Sequence, residues 1–346
     1  MEACKELAAK NNIKLKNAGL EISASQEVKD AAYTKYFPNV SATGLAMYSF
    51  DNLVEIETPG GNLPVYDGNP ANLANATQFA YMPASKMSML DNLTTGSLMV
   101  MQPLYAGGRI STGNALASLG KEINQDKFNI ERYNVNQKTE ELYRQAVTLQ
   151  NKMRTLEFFE KFLNQLLKDV GSAYSAGLVS KNDALKVSIK LNEINLNKLK
   201  LNNGIEMVKE ALCQHIGIAK NSDMILSDTI MTIEEPKSFY VDPNAALGNR
   251  YESQLLDKAV KAAALQSELK QGEYMPEVAV GGALAYVNVM EKSDVHCILL
   301  ANVSVPISGW WEASHTMQER VIKEEIMRNT AKETSELLVL QMSKAW

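Results

Sequence analysis

Residues 36–48, YFPNVSATGLAMY, and residues 274–286, YMPEVAVGGALAY, are two copies of one segment. The match extends backwards without a gap, so that residues 11–48 can be laid on residues 249–286. A weaker match relates residues 102–107, QPLYAG, to VPISGW further along the chain, at a shorter offset. The shorter offset indicates that copy one carries a long insertion. Repeats are sought first because they decide the architecture.

Each copy predicts the same order of elements: a helix, a strand, a second strand and a second helix. Apolar residues alternate from Val40 to Tyr48 and from Val278 to Tyr286, which predicts strands with one apolar face. In copy two the opposite face of this strand is made of small residues. The predicted segments are helices at 5–34 and 245–272, first strands at 40–48 and 278–286, second strands at 97–105 and 297–307, a short polar turn at 291–294, and a Gly/Pro/Asn-rich insertion at 51–95.

A long helical hairpin is predicted after the strands of copy one. Residues 111–170 contain no proline, and apolar residues recur every three or four positions from Leu142 to Val170. At about 1.5 Å per residue, about 60 helical residues span about 90 Å. A glycine-containing turn at 174–180 ends this helix, and a return helix runs to Gly217, where glycine favours a helix end.

Proline stands near all four changes between helix and strand, at Pro38, Pro103, Pro276 and Pro306. Proline lacks a backbone N–H and disfavours helical backbone in the residue before it. We therefore predict that these prolines mark the helix–strand junctions.

Composition excludes several classes of function. The net charge of −5, with no basic block, argues against a nucleic-acid partner. The three cysteines lie far apart and predict no disulfide framework. No run of about 18 apolar residues predicts a membrane-spanning helix. Met1 is followed by a polar, helix-like stretch, so we expect this chain to carry no signal peptide. Transmembrane barrels also lack long apolar runs, so the strands remain candidates for crossing a bilayer.

The strand pattern predicts a sheet that closes by association. Four strands cannot close a barrel alone, and an open edge in lipid would leave backbone polar groups unpaired. Three chains would supply about twelve strands, within the range of known barrels. We expect the apolar faces to meet lipid, the small faces to line a lumen, and Tyr48 and Tyr286 to form an interfacial aromatic belt.

Two strings carry a resemblance to a known family. The first is similar to the strand-to-helix signature of TolC-family outer-membrane efflux proteins, and it consists of Gln102, Pro103, Leu104, Tyr105, Gly107, Gly108 and Arg109. The second resembles the helical-hairpin tip of the same family, and it consists of Tyr174, Gly177, Leu178, Val179 and Ser180. The duplicated order of elements matches as well, so the resemblance covers essentially the whole chain.

The resemblance implies a fold class that is mainly α with membrane β. Long antiparallel coiled-coil hairpins would accompany strands of a trimeric, 12-stranded barrel, with internal duplication. It implies a homotrimer in the outer membrane of a Gram-negative bacterium, with a periplasmic extension and lipid around the barrel. The function implied is that of the exit duct of a tripartite efflux or secretion system, a passive conduit driven by an inner-membrane transporter.

The resemblance also implies roles for the tip. The tip residues would dock a periplasmic adaptor protein, and Asp183 matches a region where family members place an acidic constriction. From the residues alone, Asp183 is either such a gate or a helix-start residue favoured by the macrodipole.

Two repeats organise the predicted domains. The first covers residues 1–246, with an extracellular loop at 51–95, the hairpin at 107–217 and a linker at 218–246. The second, at 247–346, ends before its helical hairpin is complete, so we expect the chain to be a fragment.

Other functions find less support in the residues. Cys213 with His215, and His296 with Cys297, offer only two candidate ligands each, so structural roles are favoured and no metal or cofactor is expected. Ser180 has no histidine nearby for a catalytic triad, so we expect no enzyme. The rival interpretation is a soluble periplasmic or cytosolic coiled-coil scaffold. It explains the long apolar stripes but not the duplicated unit.

Overall fold

The computed structural model describes residues 1–51, 54–66, 68–72, 78–89, 92–220, 224, 226, 235–289 and 292–345. The helices are α1 (Glu2–Asn11), α2 (Ile13–Tyr33), α3 (Arg109–Ser175), α4 (Lys181–Ile216), α5 (Pro243–Leu247), α6 (Tyr251–Gly272) and α7 (Trp310–Ala345). The strands are β1 (Asn39–Tyr48), β2 (Val54–Thr58), β3 (Gly61–Pro64), β4 (Phe79–Met82), β5 (Ser85–Met89), β6 (Asn92–Ala106), β7 (Glu277–Val289) and β8 (Lys292–Ser304).

The chain divides into two compact units. A helical unit comprises Met1–Ala31, Asn114–Gln266 and Glu319–Trp346, and a sheet unit comprises Ala32–Gly113 and Ser267–Gln318. Within the described residues, none of the helices combines the length and the apolarity needed to cross a bilayer.

The sheet unit contains a four-stranded antiparallel sheet in the order β1-β6-β7-β8. The predicted helix–strand–strand–helix order is therefore present in both copies, as α2-β1-β6-α3 and α6-β7-β8-α7. The predicted turn at 291–294 was too long, because β8 already begins at Lys292. β6 likewise begins at Asn92, five residues before the prediction.

Two faces of this sheet differ in chemistry, because directly opposed residues in an antiparallel ladder share a face. One rung, for example, joins Gly44, Gly96, Tyr286 and Val295. The apolar face, as we call it, includes Val40, Ala42, Ala46, Tyr48, Leu98, Val100, Val280, Gly282, Leu284, Tyr286, Val295, Leu299, Ala301 and Val303. The polar face, as we call it, carries the hydrophilic residues Asn39, Ser41, Thr43, Thr95, Ser97, Asp294, His296, Asn302 and Ser304. Apolar residues are interspersed among them, including Leu45, Leu93, Met99, Met101, Ala283, Val287, Ile298 and Leu300.

The insertion of copy one is more regular than the predicted loop. β2 pairs with β5, and β3 pairs with β4, so two short antiparallel ladders continue outward from the hairpin of β1 and β6. Lys86 forms ion pairs with Glu55, at 3.5 Å, and with Glu57 across the first of these ladders.

The prolines follow the prediction with one exception. Pro38, Pro276 and Pro306 lie between helical and strand segments. Pro103 instead lies inside β6, where the register with β7 shifts between Pro103 and Tyr105. Since proline cannot donate to a ladder, it is accommodated in a strand at such an irregularity.

The helical unit is dominated by α3, which has 67 residues, and by its return partner α4. Lys198 on α4 reaches Glu160 on α3 at 2.5 Å, which marks the sides on which the two helices face each other. The buried core contains Val135, Leu142, Tyr143, Ala146, Val147, Leu212 and Ile216 with Ala8 of α1 and Leu226.

The first predicted helix is broken in two at Asn12. The Asn12 side chain accepts hydrogen bonds from the backbone N–H groups of Lys14, at 2.9 Å, and Leu15, at 3.3 Å, and thereby caps α2. Its amide also donates to the carbonyl of His215 at 2.8 Å. Asparagine is a favoured capping residue, so this polar side chain starts a new helix where periodicity alone predicts continuation.

Candidate functional site

The apolar face of the sheet carries large side chains that no described residue of the sheet unit covers. Leu299 is 87% exposed, Val295 69% and Leu284 48%. Water-soluble chains rarely expose an apolar patch that extends over several strands, and such patches mark surfaces that meet a partner or a membrane. The alternation that predicted this face is confirmed by the register.

The polar face combines hydrophilic side chains with apolar ones. Thr43 and Ser97 face each other across β1 and β6, with their hydroxyl oxygens 2.7 Å apart. The same rung continues through Ala285 to His296. The face is also closely packed, because Ala283 is buried and a side chain at Gly281 would collide with Val100 and Met101.

Both edges of the four-stranded sheet are open among the described residues. β1 pairs only with β6, and β8 pairs only with β7. Each edge therefore presents a row of backbone N–H and C=O groups that another strand could pair with.

The strand-to-helix signature forms a compact turn at the end of β6. The Gln102 amide donates to the carbonyls of Tyr36 and Pro103, both at 3.0 Å. Gly107 and Gly108 have φ values of 61° and 78°, which favour glycine. A side chain at Gly107 would also collide with the backbone of Gly272.

Arg109 closes this turn. Its Nε donates to the carbonyl of Ala106 at 3.2 Å, and its guanidinium forms an ion pair with Glu277 at the start of β7. The same turn leaves Leu104 and Tyr105 exposed. The signature residues are thus brought together as a structural junction between strand and helix.

The tip of the α3–α4 hairpin has the geometry that its glycine predicts. Gly177 has a φ of 76°, the N–H of Leu178 donates to Ala173 at 2.9 Å, and the N–H of Gly177 donates to Tyr174 at 2.9 Å. This pattern is a glycine-terminated helix end. Leu178 is 78% exposed and Tyr174 46%, while Val179 is half-buried.

Asp183 and Ser180 form a reciprocal cap at the start of α4. The N–H of Asp183 donates to the Ser180 hydroxyl oxygen at 3.3 Å, and the Ser180 N–H donates to the Asp183 carboxylate at 3.2 Å. The Ser180 hydroxyl donates to the same carboxylate at 2.7 Å. These bonds from Ser180 hold the pKa of Asp183 below its ordinary value. Asp183 therefore has the helix-start role that was one of its two predicted roles, and its role as a gate stays a prediction.

The two tyrosines of the expected belt lie at different levels of the sheet. Tyr286 shares a rung with Gly44, whereas Tyr48 lies four residues further along β1, opposite Asn92. Tyr48 is 70% exposed and forms an edge-to-face contact with Phe50, at 5.5 Å between ring centroids. Their membership of one belt stays a prediction.

The cysteine and histidine residues do not assemble a metal site in the described part of the chain. Cys213 is buried in the helical core, and the His215 ring lies 3.1 Å from the Val135 carbonyl through its Nε2 atom. Cys297 is exposed on the apolar face.

Sequence reasoning missed a second apolar stripe on each helix of the hairpin. Since successive residues turn by about 100° on a helix, Phe158 and Phe162 lie opposite the side of α3 that carries Glu160. Both are more than half exposed, at 68% and 55%. On the outer side of α4, the exposed stripe consists of Leu185, Ile189 and Leu196. These stripes were visible in the sequence as a second set of apolar positions, offset by about two residues from the first.

Comparison with known proteins points to one class of structure. No protein-family model and no curated protein matches the chain. Among solved structures, the chain is similar to the outer membrane protein VceC of Vibrio cholerae, with 13% identity, a TM-score of 0.71, and coverage of 98% of this chain and 75% of that one.

Two further channels give the same result. The outer-membrane channel OprN matches at 12% identity with a TM-score of 0.73, covering 98% of this chain and 71% of OprN. The Campylobacter jejuni CmeC outer membrane channel matches at 12% identity with a TM-score of 0.70, covering 99% and 70%. At these identities the likeness establishes the fold. The chain therefore has the fold of the TolC-family outer-membrane channels.

Proposed function

We propose that the chain is an outer-membrane exit duct that works as a homotrimer. The observation that carries this proposal is the combination of two open sheet edges with an exposed apolar face on the same four strands. A sheet in lipid must pair every edge, because each unpaired backbone group in hydrocarbon costs several kcal/mol.

Closure by three copies satisfies this requirement. β8 of one copy pairs with β1 of the next, and about twelve strands then surround a lumen, within the range of known barrels. The apolar face meets lipid, and the polar face, with Thr43, Ser97 and His296, lines the water-filled interior.

The helical hairpin supports the same assembly. α3 and α4 face each other through one set of apolar residues and expose a second set on their outer sides, including Phe158 and Leu196. A helix with apolar residues on two sides is partnered on two sides. A ring of helices from three copies provides those partners and forms a tunnel.

The remaining parts of the proposal concern organisation and partners. Residues 1–246 and 247–346 are the two repeats of the duplicated unit. The hairpin tip, with exposed Leu178, contacts a periplasmic adaptor protein, and an inner-membrane transporter supplies the energy for a passive conduit. The chain lies in the outer membrane of a Gram-negative bacterium; the similar structures of VceC and CmeC, both outer membrane proteins, support this location.

Fractionation tests the proposal against the soluble scaffold. The gene product is followed through separation of inner membrane, outer membrane and soluble fractions, and its mass is measured after extraction in dodecyl maltoside. The proposal expects outer-membrane protein with three times the mass of one copy of the gene product. A monodisperse monomer in the soluble fraction would instead establish the scaffold.

A further inference from the structure

A shallow groove of about 600 Å³ lies on the apolar face of the sheet. It spans two neighbouring rungs, one formed by Val100, Gly282 and Leu299 and the next by Gln102, Val280 and Ala301. The missing side chain of Gly282 and the small side chain of Ala301 form the depression between larger neighbours. Pro38 lies at one end of the groove.

The chemistry of this groove selects an apolar, extended ligand. Gln102 contributes the polar side chain of the lining, and its amide NH₂ already donates to the carbonyls of Tyr36 and Pro103. The remaining side chains of the lining are aliphatic. The volume lies within the range of about 300–1,000 Å³ that accommodates drug-sized ligands.

The end of the groove at Pro38 leads to a cluster of interfacial residues. The ring of Tyr33 contacts the rings of Tyr36 and Phe37, each at 5.6 Å between centroids. All three aromatic residues are exposed, at 58%, 43% and 54%, and the neighbouring Lys35 is exposed as well. Tyrosine is typical of the layer where lipid headgroups meet water, and a lysine attracts phosphate.

We infer that the groove holds one acyl chain of a phospholipid, whose headgroup lies against residues 33–37. The inference rests on the proposed function, because it requires the apolar face to meet lipid. The small residues Gly282 and Ala301 accommodate the chain, the side chains of Val100, Val280 and Leu299 flank it, and Lys35 with Tyr36 contacts the phosphate. The site exists once per copy, so a trimer binds three such lipids.

Native mass spectrometry of the purified full chain tests this site. Trimer in dodecyl maltoside is supplemented with 1-palmitoyl-2-oleoyl-phosphatidylethanolamine, and the lipids retained at a fixed collision energy are counted. Gly282→Leu fills the groove, since a Cβ there lies 3.4 Å from Leu299 and from the Ile298 carbonyl oxygen. Ala301→Leu fills it from the neighbouring strand. Ala46→Leu, at an exposed position of the apolar face outside the groove, is the matched control.

The expected result is up to three retained lipids for the wild type and for Ala46→Leu. For both groove-filling variants the retained fraction falls about tenfold, which corresponds to about 1.4 kcal/mol. The lipid site would be contradicted if all four proteins retained the phospholipid equally, if none of them retained it, or if Ala46→Leu lost it to the same extent as the groove-filling variants. None of these outcomes would contradict the trimer. Absence of a detergent-solubilised trimer would contradict the proposed function itself.

Discussion

Replacing Lys258 by methionine removes the partner of a buried carboxylate in the helical unit. The Lys258 Nζ lies 2.6 Å from the Oδ2 of Asp126, whose side chain is 8% exposed. Breaking a fully buried pair costs about 3–5 kcal/mol, because the remaining charge has lost its compensation. The Lys258 side chain is 23% exposed, so water reaches the pair and we expect a smaller loss of about 2–3 kcal/mol.

Thermal unfolding followed by circular dichroism at 222 nm measures this loss. With an unfolding entropy of about 2.1 cal/mol/K per residue, a loss of this size lowers Tm by about 3–4 °C. Lys261→Met, on the exposed side of the same helix, is the matched control and is expected to leave Tm unchanged. The double change Asp126→Leu with Lys258→Met restores most of the stability, because no buried charge remains. Equal Tm values for Lys258→Met and Lys261→Met would refute the reasoning.

Three further predictions concern the helices. Burial alone would raise the pKa of Glu140, but the hydrogen bond from Arg144 helps to lower it below its ordinary value. A lowered carboxyl pKa stabilises the fold above that ordinary value, so Glu140→Gln is expected to lower Tm at pH 7, and the difference should shrink as the pH falls through the lowered pKa of Glu140. Ser180→Ala removes the cap of α4 and should cost about 1 kcal/mol in urea unfolding; an unchanged midpoint would show that the cap is dispensable. Gly217→Ala forces a side chain into a left-handed φ of 72° and should destabilise by more than about 1 kcal/mol, whereas Gly171→Ala, inside α3 with open space around it, should stabilise by about 0.5–1 kcal/mol. The same sign for both glycine variants would contradict this account.

The parts of the fold that sequence predicted are those set by a sustained period. Alternation from Val278 to Tyr286 places apolar side chains on one face of β7, and this does not depend on which strand pairs with β7. The register of β7 confirms it. The long proline-free stretch likewise predicted α3, and Gly217 ends α4 as expected, with a left-handed φ.

The parts that sequence reasoning missed depend on short segments and on single side chains. β3 and β4 have only four residues each, and the turn-forming residues around them dominate the composition of the insertion. The break at Asn12 depends on a side-chain cap that periodicity does not detect. Pro103 was predicted to mark a junction, but it lies inside β6. A strand accommodates this proline because the register between β6 and β7 shifts next to it, and β7 is far away in sequence.

The candidate site shows the same division. The turn at Gly177 and the cap formed by Ser180 follow from local chemistry, so the hairpin tip could be predicted. The groove at Gly282 could not, because it exists only where Val100 and Leu299 flank that glycine on the adjacent strands. Cross-strand partners of this kind are a property of the folded sheet.

Electron microscopy of the gene product, extracted from membranes in mild detergent, tests the central claim most directly. The claim is that the open edges of β1 and β8 close by pairing between three copies. We predict a three-fold particle with a detergent belt around a twelve-stranded barrel, in which β8 of each copy pairs with β1 of the next. A particle without a belt, or one in which both edges remain unpaired, would contradict it.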